Sequence, residues 1–232
     1  MSASRRSALC HALLSQHRIS HVLCIMRWED LQHGASSGPV TATATATSVQ
    51  PGPEPKNQIR RKQVELDDDP TEDLLGCLNS MLNWIHDALV RPHPHSAPNP
   101  QVMTLNTHTG GRVLVHCERG ISRSGAVVVA YIMRTLGLPY RTALSIAQLS
   151  RPQISPNIGF EWQLRMWEGC GYDVFDRVLT GDQGQIMIKR KAGYEQWADV
   201  IDKIYDRADA VEMARAKEDY LRNLAEMLGV LR

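Results

Sequence analysis

A cysteine and an arginine separated by five residues are the side chains of this chain best suited to chemistry. Cys117 and Arg123 lie in the stretch His-Cys-Glu-Arg-Gly-Ile-Ser-Arg-Ser, residues 116–124. A cysteine thiolate is a strong nucleophile, and a guanidinium binds two oxygens of a phosphoryl group at once. The pair therefore indicates nucleophilic attack on phosphorus.

The residues between the pair are expected to form a phosphate-binding loop, because consecutive backbone N–H groups can turn inward around one anion. These groups belong to Glu118, Arg119, Gly120, Ile121, Ser122 and Arg123. At the floor of this positive cup, Cys117 is expected to react as a thiolate. Ser124 is expected to donate a hydrogen bond to the sulfur as the cysteinyl-phosphate breaks down. We expect His116 to order the loop backbone rather than to transfer a proton.

A strand before the loop and a helix after it would hold this geometry. Residues 111–116 are short and nearly continuously apolar, which is typical of a strand buried on both faces of a sheet. Residues 124–137 form an apolar run too long for a typical strand, and Gly137 suits a helix C-cap. The positive end of that helix would point at the anion. A buried structural cysteine with a nearby capping arginine is the alternative.

Residues 116–124 resemble the signature of the dual-specificity branch of the cysteine-based protein tyrosine phosphatases, which is His-Cys, five residues, Arg, then Ser or Thr. Three further segments are similar to that branch: residues 19–25 as a strand, 64–75 as the general-acid loop and its helix, and 155–160 at the start of a helix. The resemblance covers residues 8–172 with interruptions. It implies an α/β fold with a mainly parallel central sheet flanked by helices, and a loop-supporting role for Asn157.

This chemistry needs a general acid, because the leaving oxygen must be protonated as its bond to phosphorus breaks. The candidates are Asp67, Asp68 and Asp69, which precede a helix predicted for residues 74–90. The run itself does not decide among them. Aligning the residues that follow with the family pattern puts the acid at Asp68, which would later deprotonate the attacking water. The run is equally typical of a helix start, with Asp69 or Thr71 as the N-cap.

The loop composition bears on the substrate. Glu118 and Arg119 partly cancel in charge, and Ser124 follows the arginine. Family members that act on inositol lipids or RNA 5′ ends tend to carry lysines or a threonine there. The resemblance therefore implies a phosphoprotein substrate, hydrolysed at phosphotyrosine and at phosphoserine or phosphothreonine. The alternatives are a phosphoprotein-binding pseudophosphatase with weak or no turnover, and a phosphoinositide or RNA phosphatase.

Composition narrows the class of partner. A net charge of +1 over 232 residues provides no broad field for nucleic acid or a membrane surface. The sequence has no run long and apolar enough for a transmembrane helix. Its five cysteines are odd in number and lack Cys-x-x-Cys spacing, so they predict neither a disulfide framework nor a zinc site. No cofactor is expected, and Cys24 and Cys77 are expected in the core.

A reducing compartment fits these cysteines, so a cytoplasmic or nuclear location, or both, is expected. The basic triplet at residues 60–62 resembles a weak nuclear signal, but it also suits the solvated end of a strand at residues 63–66. Residues 1–28 are basic and contain no acidic residue, as in mitochondrial presequences. They also suit a helix at 9–16 and a strand at 21–26, which makes a mitochondrial location the alternative.

The chain is expected to comprise a catalytic domain, residues 1–172, and a C-terminal linker with an amphipathic helix, residues 173–232. Low-complexity segments at about 33–57 and 91–110 are expected to be flexible insertions. His93 and His95, in the second insertion, lack a third ligand and predict no metal site. Family members normally begin with another strand before the first helix. An edge strand is therefore expected to be missing, as in an atypical, fungal-like member with an incomplete N-terminus.

Beyond Tyr194, apolar residues recur at helical spacing while charges of both signs occupy the other face. The pattern predicts an amphipathic helix to about Leu231, with a break near residues 208–211. We expect this helix to pack on its own domain. Docking of a partner or of a second copy of the chain is the alternative.

Overall fold

A computed structural model describes residues 2–3, 11–27, 29, 59–91, 110–180 and 185–230. The strands are β1 (Ser2–Ala3), β2 (His21–Ile25), β3 (Arg60–Val64), β4 (Val113–His116), β5 (Phe175–Thr180) and β6 (Gln185–Arg190). The helices are α1 (His11–Gln16), α2 (Leu74–Val90), α3 (Arg123–Leu136), α4 (Tyr140–Ser150), α5 (Ile158–Gly169), α6 (Ala192–Tyr205) and α7 (Ala210–Met227). The predicted insertion at residues 33–57 lies outside the described residues, and so do residues 92–109 of the one predicted at 91–110, with His93 and His95.

The central sheet is parallel, with strand order β1-β4-β2-β3. Adjacent residues of β4 point to opposite faces, so an apolar strand needs cover on both sides. Val115 packs into the large core formed with the helices, whereas Leu114 packs into a smaller cluster with Leu14 of α1. The predicted α/β fold with a mainly parallel sheet flanked by helices is confirmed.

The strand and helix around residues 117–122 follow the predicted pattern. All four residues of β4 are buried, and α3 begins at Arg123, directly after the loop. The helix ends where Gly137 adopts a left-handed conformation with φ of 63°. Glycine enters this region without steric cost, so it can close the helix as the sequence predicts.

The two edges of the sheet differ from expectation. The predicted lack of an edge strand is wrong, since the short strand β1 pairs with β4, with Ser2 opposite Val115. β3 begins at Arg60, three residues earlier than predicted, so the basic triplet lies within the strand rather than before it. Among the described strands β3 lies at the edge of the sheet, and its Arg60 and Arg61 are exposed.

The start of α2 also requires a correction. The helix spans the predicted residues, but its N-cap is Asp73 rather than Asp69 or Thr71. The Asp73 carboxylate accepts a hydrogen bond from the Gly76 N–H at 2.8 Å, which satisfies a donor that the helix leaves unpaired. The preceding aspartates are thereby left for other contacts.

The segment predicted as a C-terminal linker contains an antiparallel hairpin, β5–β6, in which Phe175 is opposite Arg190. Helices α6 and α7 follow, and the predicted break lies between them, from Asp206 to Asp209. The buried face of α6, which includes Trp197 and Ile201, joins the large core. The prediction that this segment packs on its own domain is confirmed. A partner-docking role and the domain boundary at residue 172 stay predictions.

Candidate active site

Cys117 lies directly after β4, at the carboxyl end of a central strand. Its side chain is 2% exposed. The Gly120 N–H donates to the sulfur at 3.3 Å, and the Ser124 hydroxyl lies 3.3 Å from the same atom. Gly120 has φ of 71°, a left-handed conformation that favours glycine. The sulfur is therefore beside two groups able to stabilise a thiolate.

Arg123 is the first residue of α3, so the predicted phosphate ligand is at a helix N-terminus. Its side chain is 6% exposed, and Nη1 donates to the Leu66 carbonyl at 3.3 Å. The first N–H groups of a helix lack partners within the helix and carry partial positive charge. Of the other loop residues, Glu118 and Arg119 are exposed and Ile121 is half-buried. The loop thus combines a buried guanidinium with a helix terminus suited to an anion.

Two side chains outside the loop contact its backbone. The His116 Nδ1 lies 3.3 Å from the Cys117 carbonyl oxygen, in keeping with the predicted supporting role. Arg151, which sequence reasoning missed, donates from Nε to the Gly120 carbonyl at 3.0 Å and from Nη2 to the Arg119 carbonyl at 3.3 Å. Three loop carbonyls are thus held by side chains from outside the loop, while the Gly120 N–H donates to the Cys117 sulfur.

The structure distinguishes the three aspartates that the sequence could not. Asp67 pairs with Arg27 at 2.8 Å. Asp69 accepts hydrogen bonds from the backbone N–H and the hydroxyl of Thr71, at 2.9 and 2.6 Å. Asp68 instead contacts the phosphate loop, where its Oδ1 accepts a hydrogen bond from the Ser122 hydroxyl. Asp68 is therefore the carboxylate placed toward Cys117 and Arg123.

Asn157 joins the acid candidate, the loop and α5. Its Nδ2 donates to Asp68 Oδ1 at 3.0 Å, and its backbone N–H donates to the Ser122 hydroxyl oxygen at 3.0 Å. Its Oδ1 caps α5 by accepting from the Phe160 N–H at 2.9 Å. This single residue contacts both partners of the Ser122–Asp68 hydrogen bond, and its supporting role stays a prediction.

A glycine and a buried glutamine determine how closely the acid loop approaches α5. A Cβ on Gly159 would lie 1.8 Å from the Pro70 carbonyl oxygen, so only glycine fits there. The fully buried Gln163 accepts from the Leu74 N–H at 3.0 Å and donates to the Glu72 carbonyl at 2.8 Å. Sequence reasoning missed both roles. The sequence does hold a sign of the Gln163 role, because a glutamine among the apolar residues of a helix indicates a buried hydrogen-bonding side chain.

Four of the cysteines are described, and all are free thiols: Cys24, Cys77, Cys117 and Cys170. Cys24 and Cys77 are less buried than the core residues we expect them to be, since both are only half-buried. Burial, followed by the negative charge of Asp73, raises the pKa of Cys77 to about 12. Cys77 is thus a poor nucleophile at neutral pH.

Within the described ranges, no three His, Cys, Asp or Glu side chains converge in a way that could hold a metal ion. None of the helices described there is both long enough and apolar enough to cross a bilayer.

Comparison with known proteins agrees with this geometry. Residues 98–170 match the family model for the dual-specificity phosphatase catalytic domain. Mouse dual specificity protein phosphatase 12 is 49% identical over 65 residues, which are 28% of this chain and 19% of that protein. Serine/threonine/tyrosine-interacting protein A of Xenopus laevis is 53% identical over 60 residues, 26% of this chain and 27% of that protein. The matches thus span a fifth to just over a quarter of these relatives' lengths.

Solved structures match over a larger part of the chain. The human tyrosine phosphatase-like serine/threonine/tyrosine-interacting protein has a TM-score of 0.53 at 27% identity, covering 74% of this chain and 91% of that one. Human DUSP28 has a TM-score of 0.51 at 26% identity, covering 74% and 92%. The likeness therefore extends well beyond the residues around Cys117.

Proposed function

Because this chain carries a catalytic domain of the dual-specificity phosphatase family, we propose that it hydrolyses phosphate esters of protein side chains through a cysteinyl-phosphate intermediate. The observation that carries the proposal is the contact of Asp68 with Ser122, because it brings a carboxyl group to the loop that contains Cys117 and Arg123. A nucleophile, an oxyanion ligand and a proton donor are the three groups that this reaction requires.

In the first step, the Cys117 sulfur attacks phosphorus while the ester P–O bond breaks. The leaving oxygen takes a proton from the Asp68 carboxyl group, so that it departs as an alcohol or phenol. The N–H of Gly120 and the hydroxyl of Ser124 support the thiolate before attack. This step leaves a phosphoryl group on sulfur and a carboxylate at Asp68.

Arg123 binds two non-bridging oxygens of the phosphoryl group as negative charge is redistributed over them. Its contact with the Leu66 carbonyl orients the guanidinium in advance, which reduces the reorganisation needed during the reaction. The N-terminus of α3 adds partial positive charge at the same place.

In the second step, a water molecule attacks phosphorus and transfers a proton to the Asp68 carboxylate. The S–P bond breaks, inorganic phosphate leaves, and the Ser124 hydroxyl donates a hydrogen bond to the departing sulfur. Both catalytic groups are thereby returned to their starting protonation states.

The proposed substrates are phosphoproteins modified on tyrosine and on serine or threonine. Glu118 and Arg119 are both exposed beside the loop, so neither sign of charge dominates its rim. A rim of this kind lacks the lysines that favour a polyanionic lipid headgroup or RNA end. We also propose a reducing compartment, the cytoplasm or nucleus, where the Cys117 thiol stays usable.

The alternative is a protein that binds phosphoproteins without turning them over. The likeness to the serine/threonine/tyrosine-interacting protein, 53% over 60 residues, is the observation in its favour. The described site has Cys117, Arg123 and an aspartate, Asp68, in contact with the loop between them. These three groups favour turnover.

The test uses the purified chain and phenyl phosphate, an aryl phosphate with a basic leaving group, in the presence of EDTA. Cys117→Ser is expected to abolish turnover, and Asp68→Asn to lower kcat by about 10²-fold or more, the usual contribution of general acid catalysis. Asp67→Asn is the matched control, because the same change one residue away removes a carboxylate that pairs with Arg27. Turnover that persists in Cys117→Ser would refute the proposal. An inactive wild type that binds a phosphopeptide would establish the binding protein instead.

A further inference from the structure

The C-terminal helices contact the acid loop, residues 66–73, at three points. Lys217 of α7 donates from Nζ to Asp69 Oδ2. The Tyr205 hydroxyl of α6 lies 2.7 Å from the Thr71 hydroxyl. The Tyr194 hydroxyl donates to Asp73 Oδ2 at 2.6 Å. The three residues contacted, Asp69, Thr71 and Asp73, lie within five residues of Asp68. The helices that contact them are distant from this loop in sequence.

The contact made by Lys217 completes the set of partners around Asp69. Thr71 occupies Oδ1 with its backbone N–H and its hydroxyl, and Lys217 occupies Oδ2. Both carboxylate oxygens of Asp69 are thus engaged by residues outside the phosphate loop. Because Asp68 is the adjacent residue, holding Asp69 in place restricts the backbone conformations open to Asp68.

Charge and burial favour a persistent contact. Side chains of Lys217 and Asp69 are 29% and 31% exposed, so solvent screens this pair less than a fully exposed one. Burial would raise the pKa of Asp69, but the hydrogen bonds from Lys217 and Thr71 outweigh burial and hold the pKa below its ordinary value. Two further acids of the loop, Asp67 and Glu72, pair with Arg27 at 2.8 and 3.6 Å.

We propose that Lys217 is a positioning residue for the general acid, and that α7 thereby forms part of the active-site support rather than an appendage. The ion pair with Asp69 holds the acid loop in the arrangement in which Asp68 contacts Ser122. This inference rests on the proposed function, since it assumes that Asp68 supplies the proton to the leaving group.

The test measures how each variant depends on the leaving group. Protonation matters little for 4-nitrophenyl phosphate, whose leaving group is weakly basic, and much for phenyl phosphate. Lys217→Met is expected to lower kcat for phenyl phosphate by about tenfold, within the range for a displaced catalytic group. The loss for 4-nitrophenyl phosphate is expected to be within about threefold on the same grounds. KM is expected to change little, because Cys117 and Arg123 stay in place.

Two variants separate positioning from general destabilisation. Lys217→Arg keeps the positive charge and is expected to restore most of the phenyl phosphate rate. Arg222→Met is the matched control, because it removes a cation from the same helix whose ion pair, with Asp219, stays within that helix. It is expected to leave the ratio of the two rates unchanged. If Lys217→Met folds poorly, Asp69→Asn is a second way to remove the same contact, read by the same ratio of rates.

Asp69→Asn is expected to reproduce the loss seen in Lys217→Met, and the double variant to lose little more, because the two residues act through one contact. Equal losses with both substrates, or no loss at all, would overturn the inference while leaving the proposed function intact. Two results would overturn both the inference and the proposed function. One is an Asp68→Asn variant that loses equal rate on phenyl phosphate and 4-nitrophenyl phosphate, and the other is an inactive wild type.

Discussion

Ser122 is the N-cap residue of α3, yet its hydroxyl donates to Asp68 and does not cap the helix. A serine at this position ordinarily accepts a hydrogen bond from the first turn, which stabilises the helix by about 1 kcal/mol. Here the hydroxyl donates to the Asp68 carboxylate instead and so holds the acid loop. The contact therefore serves the phosphate loop at the expense of the helix.

Ser122→Ala is expected to separate Asp68 from the phosphate loop. The change also removes the acceptor for the half-buried Asn157 N–H, and a typical hydrogen bond contributes about 0.5–1.5 kcal/mol. We expect a loss of kcat that is larger for phenyl phosphate than for 4-nitrophenyl phosphate, together with a lower free energy of unfolding in urea. Ser122→Thr keeps the hydroxyl and is expected to retain the wild-type ratio of rates. A Ser122→Ala variant with wild-type rates on both substrates would contradict this role.

Gly159→Ala is expected to displace the acid loop, because the added methyl group would lie 1.8 Å from the Pro70 carbonyl oxygen. Overpacking of this kind costs about 1–3 kcal/mol of stability. Gly169→Ala on the same helix is the control, since an added Cβ there meets nothing within 4 Å. That control is expected to be neutral or stabilising by up to about 1 kcal/mol. Urea unfolding and phenyl phosphate turnover measure both effects, and equal stability of the two variants would refute the steric argument.

The phosphate loop could be predicted from sequence because its chemistry requires adjacent residues. An apolar strand, Cys117, Arg123 and an apolar helix follow one another without interruption, so a local pattern contains the whole arrangement. The span of α2 could be predicted for the same reason, from its helical periodicity. Its N-cap could not be predicted, because Asp69, Thr71 and Asp73 are all of residue types that cap helices.

The contacts that distinguish the three aspartates are long-range. Lys217 is 148 residues from Asp69, and no local pattern links a lysine on an amphipathic helix to a distant loop. The β5–β6 hairpin was missed because its exposed strands lack the apolar alternation of a half-buried strand; Asp176, Arg177 and Lys189 interrupt it. The helix α4 was likewise absent from the prediction.

The Asp69 contacts predict how stability depends on acid. The pKa of Asp69 is lower in the folded protein than its ordinary value, so its contribution is complete above the unfolded pKa and is lost as pH falls through the folded pKa. Asp69→Asn is therefore expected to cost about 1–2 kcal/mol above about pH 5, as for hydrogen bonds to a charged group. The difference from wild type is expected to shrink below about pH 3.

Urea unfolding at several pH values measures this difference. Asp199→Asn, a change of the same kind on the exposed face of α6, is the control and is expected to have little effect at any pH. A difference between wild type and Asp69→Asn that grows on acidification would contradict the predicted sign.

Alkylation is expected to distinguish Cys77 from Cys117. Burial and the charge of Asp73 raise the pKa of Cys77 to about 12, so its thiolate is scarce at neutral pH. The Cys117 sulfur instead lies beside the Gly120 N–H and the Ser124 hydroxyl, which favour the thiolate. Iodoacetamide at neutral pH is therefore expected to modify Cys117 at least about tenfold faster than Cys77, as read by peptide mass spectrometry.

Inorganic phosphate supplies the control for that measurement. An anion bound in the loop would shield Cys117 and leave Cys77 unaffected, so phosphate is expected to slow the first reaction alone. Arg123→Met removes the guanidinium that would bind the anion, and the protection is expected to weaken accordingly. Comparable rates at the two thiols, or protection of both by phosphate, would show that the loop does not activate Cys117 as an anion-binding site should.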